Sequence, residues 1–159
     1  MKYNFTANTD TYSTKPTKFE AAKISQNLEP VYIESIEGFI EDVEQGISWS
    51  PSIFNGTRSN ANWAGQSILA LDFDGGLAPE EAIERIKAYD ITPNAWYPTF
   101  SDVPEHRKFR LIFFLDTLIT DIDARNYLMD GLFAMYPEAD KACKNPAHLF
   151  YGTNKPGQV

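Results

Sequence analysis

Two aspartates two residues apart, Asp72 and Asp74, close the apolar run Gln66-Ser-Ile-Leu-Ala-Leu-Asp-Phe-Asp-Gly-Gly76, where a hydrophobic segment ends in paired carboxylates and paired glycines. Aliphatic and aromatic residues in a short run bounded by glycine read as a strand. Alternate residues of a strand share a face, so Ile68, Ala70, Asp72 and Asp74 lie on one side and Leu69, Leu71 and Phe73 on the other. The two carboxylates then leave the backbone about 7 Å apart and look the same way. Oxygen donors so placed suit a hard divalent cation, Mg²⁺ or Mn²⁺. Two like charges beside a hydrophobic strand also require a cation between them. Gly75-Gly76 permits a sharp turn and a close approach of a ligand to the backbone. A strand that runs into a solvated Asp-Gly turn is the ordinary alternative.

The positive charge that such a site would need is concentrated further on, where His106, Arg107, Lys108 and Arg110 fall within five residues. Lys108-Phe-Arg-Leu-Ile-Phe-Phe-Leu115 reads as a buried strand, with Lys108, Arg110 and Ile112 on one face and Phe109, Leu111 and Phe113 on the other. An Arg inside an apolar strand needs an anionic partner, either a carboxylate or a phosphate, which it grips in a fork. A third isolated acid, Asp140, opens a loop that also carries Lys141 and Lys144. Arg58 and Trp63 stand in the stretch Ile47–Ala64, whose aromatic, amide and glycine content reads as a long loop. An aromatic ring and an Arg there can stack a base and hold a phosphate, although aromatics beside a strand more often serve the core.

With 159 residues, 43% of them hydrophobic, the chain suffices for one sizeable core and falls short of two. We expect a single domain, residues 1–159, made of an arm over 1–26, an α/β unit over 27–66 and a motif-bearing sheet over 67–159. One cysteine, Cys143, excludes an internal disulfide, and no Cys and His cluster has zinc-ligand spacing. No run approaches the length of a membrane span, so a cytoplasmic protein with no membrane partner is expected. The net charge of −8 opposes non-specific wrapping of nucleic acid, so any such binding must use a local basic patch.

The remaining elements have to position these residues. Residues 1–26 are polar, with Tyr3, Phe5 and Phe19 as the only apolar hold, and predict an edge strand or a loosely attached arm. Pro30–Ile33 predicts a strand, and Ser35 caps a helix with Ile36, Phe39, Ile40 and Val43 inward and Gly46 at its end. Pro79 opens a helix through about Ala88, and Pro93–Phe100 is a strand paired with the one from Lys108. Thr120 caps a helix from Asp121 to about Tyr136, with Ala124, Leu128, Leu132 and Met135 as its core stripe. A short aromatic strand follows Asp140.

The order of these motifs resembles the archaeo-eukaryotic primase superfamily, in particular the primase-polymerase domains of phage and plasmid replication proteins. Asp72-Phe-Asp74 after an apolar strand is similar to its first motif, a pair of acidic metal ligands. Tyr97-Pro-Thr-Phe-Ser101, leading through His106 to Lys108-Phe-Arg110, resembles its second, which holds the phosphates of the incoming nucleotide. Asp140, followed by Asn145-Pro-Ala-His-Leu-Phe-Tyr-Gly152, is similar to its third acidic motif and the strand behind it. Asp102 follows Ser101 where that second motif carries a His, and His148 stands where relatives tend to carry Arg.

The resemblance implies an α/β (α+β) fold: an antiparallel, RRM-like split β-α-β sheet bearing the motifs, with an N-terminal α/β unit beside it. It implies two-metal nucleotidyl transfer in DNA replication, with Mg²⁺ or Mn²⁺ on Asp72, Asp74 and Asp140. Ser101, His106, Lys108 and Arg110 would bind nucleoside triphosphate, and Arg58 and Trp63 the single-stranded DNA template. A helicase is the expected partner. The alternatives are a primase-fold module that binds single-stranded DNA or a replisome partner without catalysis, and a metal-dependent nuclease on the same aspartates.

Overall fold

The structure, a computed structural model, describes residues 2–159. Its N-terminal part runs β1 (Tyr3–Asn8), α1 (Lys18–Gln26), β2 (Glu29–Ile33), α2 (Ile36–Glu44) and β3 (Ser48–Ser50). The strands form an antiparallel sheet in the order β2-β1-β3. In place of the expected edge strand or loosely attached arm, β1 is the central strand of this sheet. Its few apolar side chains suffice because Phe5 and Ala7 are completely buried, Phe5 lying edge-on to Phe39 at 5.6 Å and to Trp49 at 6.3 Å between ring centroids. α1 starts with a capping box, in which Glu20 N–H donates to Thr17 Oγ1 (3.3 Å) and Thr17 N–H to Glu20 Oε2 (2.6 Å). Ser35 caps α2 as its position predicts, accepting from Gly38 N–H at 3.0 Å. Phe39, Ile40 and Val43 are the buried face of that helix.

The second part runs β4 (Ser52–Phe54), β5 (Trp63–Asp74), α3 (Pro79–Lys87), β6 (Ala95–Pro98), β7 (Lys108–Ile119) and α4 (Ile122–Met135). Its antiparallel sheet has the order β4-β5-β7-β6. β7 thus lies between two strands that α3 connects. The stretch 47–64 is less of a loop than its composition predicts, since β3, β4 and a short 3-10 helix, Asn60–Asn62, occupy much of it. Trp49 is fully buried there, stacked on Phe150 at 5.1 Å.

The two faces of β5 and β7 have different neighbours. Phe73 stacks on Phe109 at 4.7 Å and meets Tyr136 edge-on, and Tyr136 Oη donates to the Ala82 carbonyl of α3 at 2.5 Å. That face packs on the helices. The opposite face brings Phe114 against Phe39 of α2 and Tyr3 of β1. It carries Asp72, Asp74, Lys108 and Arg110 at one end of the strands, where it faces the N-terminal unit.

α4 departs from its expected stripe. Asp121, not Thr120, is its N-cap, and the buried residues are Arg125, Met129, Leu132 and Phe133, while Ala124 and Leu128 are exposed. The face turns because Arg125 is drawn inward. Its guanidinium donates to Gln66 Oε1 (3.2 Å), the Lys144 carbonyl (2.5 Å) and the Cys143 carbonyl (3.2 Å). Burial pulls its pKa down to about 10, so it stays charged at neutral pH. After Asp140 the chain forms a short 3-10 helix, Lys141–Lys144. The expected aromatic strand is only an isolated bridge from Phe150 to Trp49. Among the described residues no helix is long and apolar enough to cross a membrane.

Candidate active site

In the register of β5 and β7, Asp72 lies opposite Arg110 and Asp74 opposite Lys108. Opposite charges placed directly across an antiparallel pair attract. Arg110 Nε donates to Asp72 Oδ1 at 3.0 Å, and Lys108 Nζ stands 2.6 Å from Asp74 Oδ1. The first pair is largely buried, the second only partly: the side chains of Arg110 and Asp72 are 9% and 20% exposed, those of Lys108 and Asp74 29% and 66%. The hydrogen bond from Lys108, against the small effect of burial, holds the Asp74 carboxyl below its ordinary pKa.

Arg110 is fixed from several sides. Its Nη1 donates to Tyr97 Oη at 3.2 Å and to the Tyr151 carbonyl. Tyr97 Oη in turn donates to the same carbonyl at 3.0 Å and accepts from Trp49 Nε1 at 2.9 Å. Both Tyr97 and Trp49 are fully buried, so they hold the guanidinium like a wall. Burial opposes the Arg110 charge, yet Tyr97 and Asp72 outweigh it and its pKa is raised. The positive charge is permanent at any working pH.

Asp140 arrives beside Asp72 by backbone pairing. Its N–H donates to the Asp72 carbonyl at 2.8 Å, and Ala139 bridges Phe73. Asp72 N–H reaches Cys143 Sγ at 3.3 Å from the same segment. Burial pushes the Cys143 thiol up to about 12, so it is a protonated packing group.

All three aspartates line one cleft of about 260 Å³, together with Lys15, Lys108 and Arg110. They do not stand as an assembled metal site: among the described residues no group of three His, Cys, Asp or Glu is placed to hold one ion. The reason lies in their partners. Asp72 turns to Arg110, Asp74 to Lys108, and the Asp140 carboxylate caps its own 3-10 helix through Ala142 N–H at 2.9 Å.

The other expected residues divide. Ser101 lines the cleft. His106 lies outside that lining, over Gly75 and 4.0 Å from Asp74. Gly75 has φ of 98°, and a Cβ there would run into the His106 ring. Asp102 serves the backbone: its carboxylate accepts from Arg107 Nε (3.0 Å) and Lys108 N–H (2.6 Å), bracing the turn into β7. Arg58 and Trp63 do not line the cleft. Arg58 donates to the Ala147 carbonyl, and Trp63 Nε1 to Ser52 Oγ (3.1 Å) and Gln66 Oε1 (3.2 Å).

Lys15 escapes a reading of motifs, and so does the role of Tyr97 and the Tyr151 carbonyl in holding Arg110. A usable signal for Lys15 existed, since Thr17-x-x-Glu20 is a capping box and predicts an ordered helix start two residues after it. His148 also lines the cleft, and burial, then the charge of Arg110, lowers its pKa, so it is neutral at pH 7.

No family model matches the chain, and neither does any curated protein. Among solved structures, the AEP domain (PP-N190) of the primase-polymerase (PrimPol) of cyanophage S-2L is similar, with a TM-score of 0.53 and 13% sequence identity over 98% of this chain and 79% of that chain. At that identity the likeness is one of fold: the chain shares an α+β architecture with that domain.

Proposed function

We propose that the chain is a nucleotidyltransferase domain of the primase-polymerase type, acting on nucleoside triphosphates along a single-stranded DNA template. The observation that carries this is the lining of one cleft by Asp72, Asp74 and Asp140 together with Lys15, Lys108 and Arg110, drawn from segments far apart in sequence. We read β5–α3–β6, with β7 between its strands, as the split β-α-β unit of that superfamily.

The donor set fits Mg²⁺ or Mn²⁺ in kind: three carboxylates face one polar cleft, with no thiolate free among them. Asp72, Asp74 and Asp140 would hold the metal once their present partners release them. The metal would supply activation of a hydroxyl nucleophile and stabilisation of leaving pyrophosphate. Arg110, held in place by Tyr97 and the Tyr151 carbonyl, would present its positive charge to phosphate oxygens once Asp72 turns to the metal. Lys108 adds a second charge from the mouth of the cleft. Ser101 lies within the same wall as a hydroxyl donor.

Primer synthesis and primer extension on single-stranded DNA, with Mg²⁺ or Mn²⁺, test this reading. The wild-type chain should yield product and Asp72→Asn or Asp74→Asn none, with folding retained by circular dichroism. Undiminished product from both variants would overturn it. A second reading, a DNA-binding module without catalysis, is favoured by the pairing of both aspartates with strand cations. Its signature is oligonucleotide binding with no synthesis under either metal.

A further inference from the structure

Three cations line the cleft, and two of them are engaged by the aspartates across from them. Arg110 is bonded to Asp72 and Lys108 to Asp74. Lys15 is the third, and among the described residues it has neither a hydrogen bond nor an ion pair. Its place is set by its neighbours in the chain. Pro16 is buried, Thr17 begins the capping box of α1, and Tyr12 N–H donates to the Gln45 carbonyl at 3.2 Å. Gly46 allows that crossing: its φ is 84°, and a Cβ would run into the Tyr12 carbonyl. The connection between β1 and α1 is thus pinned on both sides of Lys15, while Lys15 itself is exposed at the cleft wall. Its charge is felt at Asp74.

We propose that Lys15 is a phosphate-binding residue of this cleft, supplied by the N-terminal unit to the site carried by the other sheet. It rests on the nucleotide-binding reading given above. A free ammonium on an anchored backbone meets phosphate oxygens without first breaking an ion pair, which Lys108 and Arg110 cannot do. The phosphates have two sources, the triphosphate of a nucleotide or the backbone of a DNA strand.

Fluorescence anisotropy with a labelled nucleoside triphosphate, the corresponding nucleoside and a single-stranded oligonucleotide separates them, using wild type, Lys15→Ala and Lys15→Arg in Mg²⁺ buffer. Lys15→Ala should lose about tenfold in affinity in the triphosphate arm or the oligonucleotide arm, the scale of one charge-assisted hydrogen bond. Lys15→Arg should restore most of it, and nucleoside binding should not change. Lys15→Ala within twofold of wild type in both phosphate arms overturns the assignment of Lys15 alone. Wild type that binds neither phosphate ligand overturns the cleft reading together with it.

Discussion

Asp74 and Lys108 hold each other in the space that a metal or a phosphate would enter, and this sets up an exchange. In Asp74→Asn the ammonium of Lys108 is released. Binding of a labelled oligonucleotide or triphosphate in EDTA should then tighten severalfold, while the Mg²⁺-dependent gain in binding shrinks. Equal affinities in EDTA for variant and wild type would show that the pair does not restrain the cleft. Stability should move by only about 0–1 kcal/mol, because the Asp74 carboxylate is mostly in water. Arg110→Ala differs, since it leaves the mostly buried Asp72 without its cation, and about 3–5 kcal/mol should be lost in urea denaturation. His148 contributes a pH dependence. Its folded pKa lies below the ordinary 6.5, so the unfolded chain takes up the proton first and stability falls as pH drops through 6.5 toward the folded value. His148→Gln should flatten the change in urea midpoint between pH 7 and pH 5.

At the scale of elements, the N-terminal strand and the α4 arginine hold the cleft in shape. β1 is the middle strand of its sheet, and its Phe5 contacts both α2 and the Trp49 that supports Tyr97. Phe5→Ala should cost about 3–5 kcal/mol, the range for a fully buried aromatic, and should broaden the unfolding transition if Trp49 loosens. Arg125 ties α4 to β5 and to the segment that delivers Asp140. Arg125→Met keeps the volume but leaves the Lys144 and Cys143 carbonyls without a donor, while Gln66 Oε1 keeps those from Ser52 and Trp63. We expect a loss of about 1–3 kcal/mol and faster amide exchange over residues 140–145, with β1 unaffected.

At the scale of the molecule, the net charge of −8 limits how DNA is held. Few cations line the cleft, so binding of single-stranded DNA should release few counterions. A log–log slope against salt of about −2 or shallower is expected, since each neutralised phosphate of a single strand contributes about −0.7. A much steeper slope, measured between 50 and 200 mM salt, would place the DNA on a different surface. The same charge distribution fits a protein that takes its ligand at one prepared place.

How much of this was legible in the residues differs by kind of signal. The strand carrying Asp72 and Asp74, the face shared by Lys108 and Arg110, and the Ser35 and Pro79 helix starts follow from periods and caps, which are local. The position of β1 did not, because a short polar segment shows nothing of the Trp49 and Phe39 side chains that bury Phe5. The stripe of α4 differs from a purely apolar one because Arg125 turns inward, where three carbonyl oxygens brought by other segments make its burial favourable. The amino-acid sequence by itself determined which residues carry charge toward one side of the central strands. Only the tertiary structure decided who their partners are: Asp72 with Arg110, Asp74 with Lys108, and Lys15 with none among the described residues. Pairing depends on strand register and on loops returning from far along the chain, and these distances are set by packing, not by spacing in sequence.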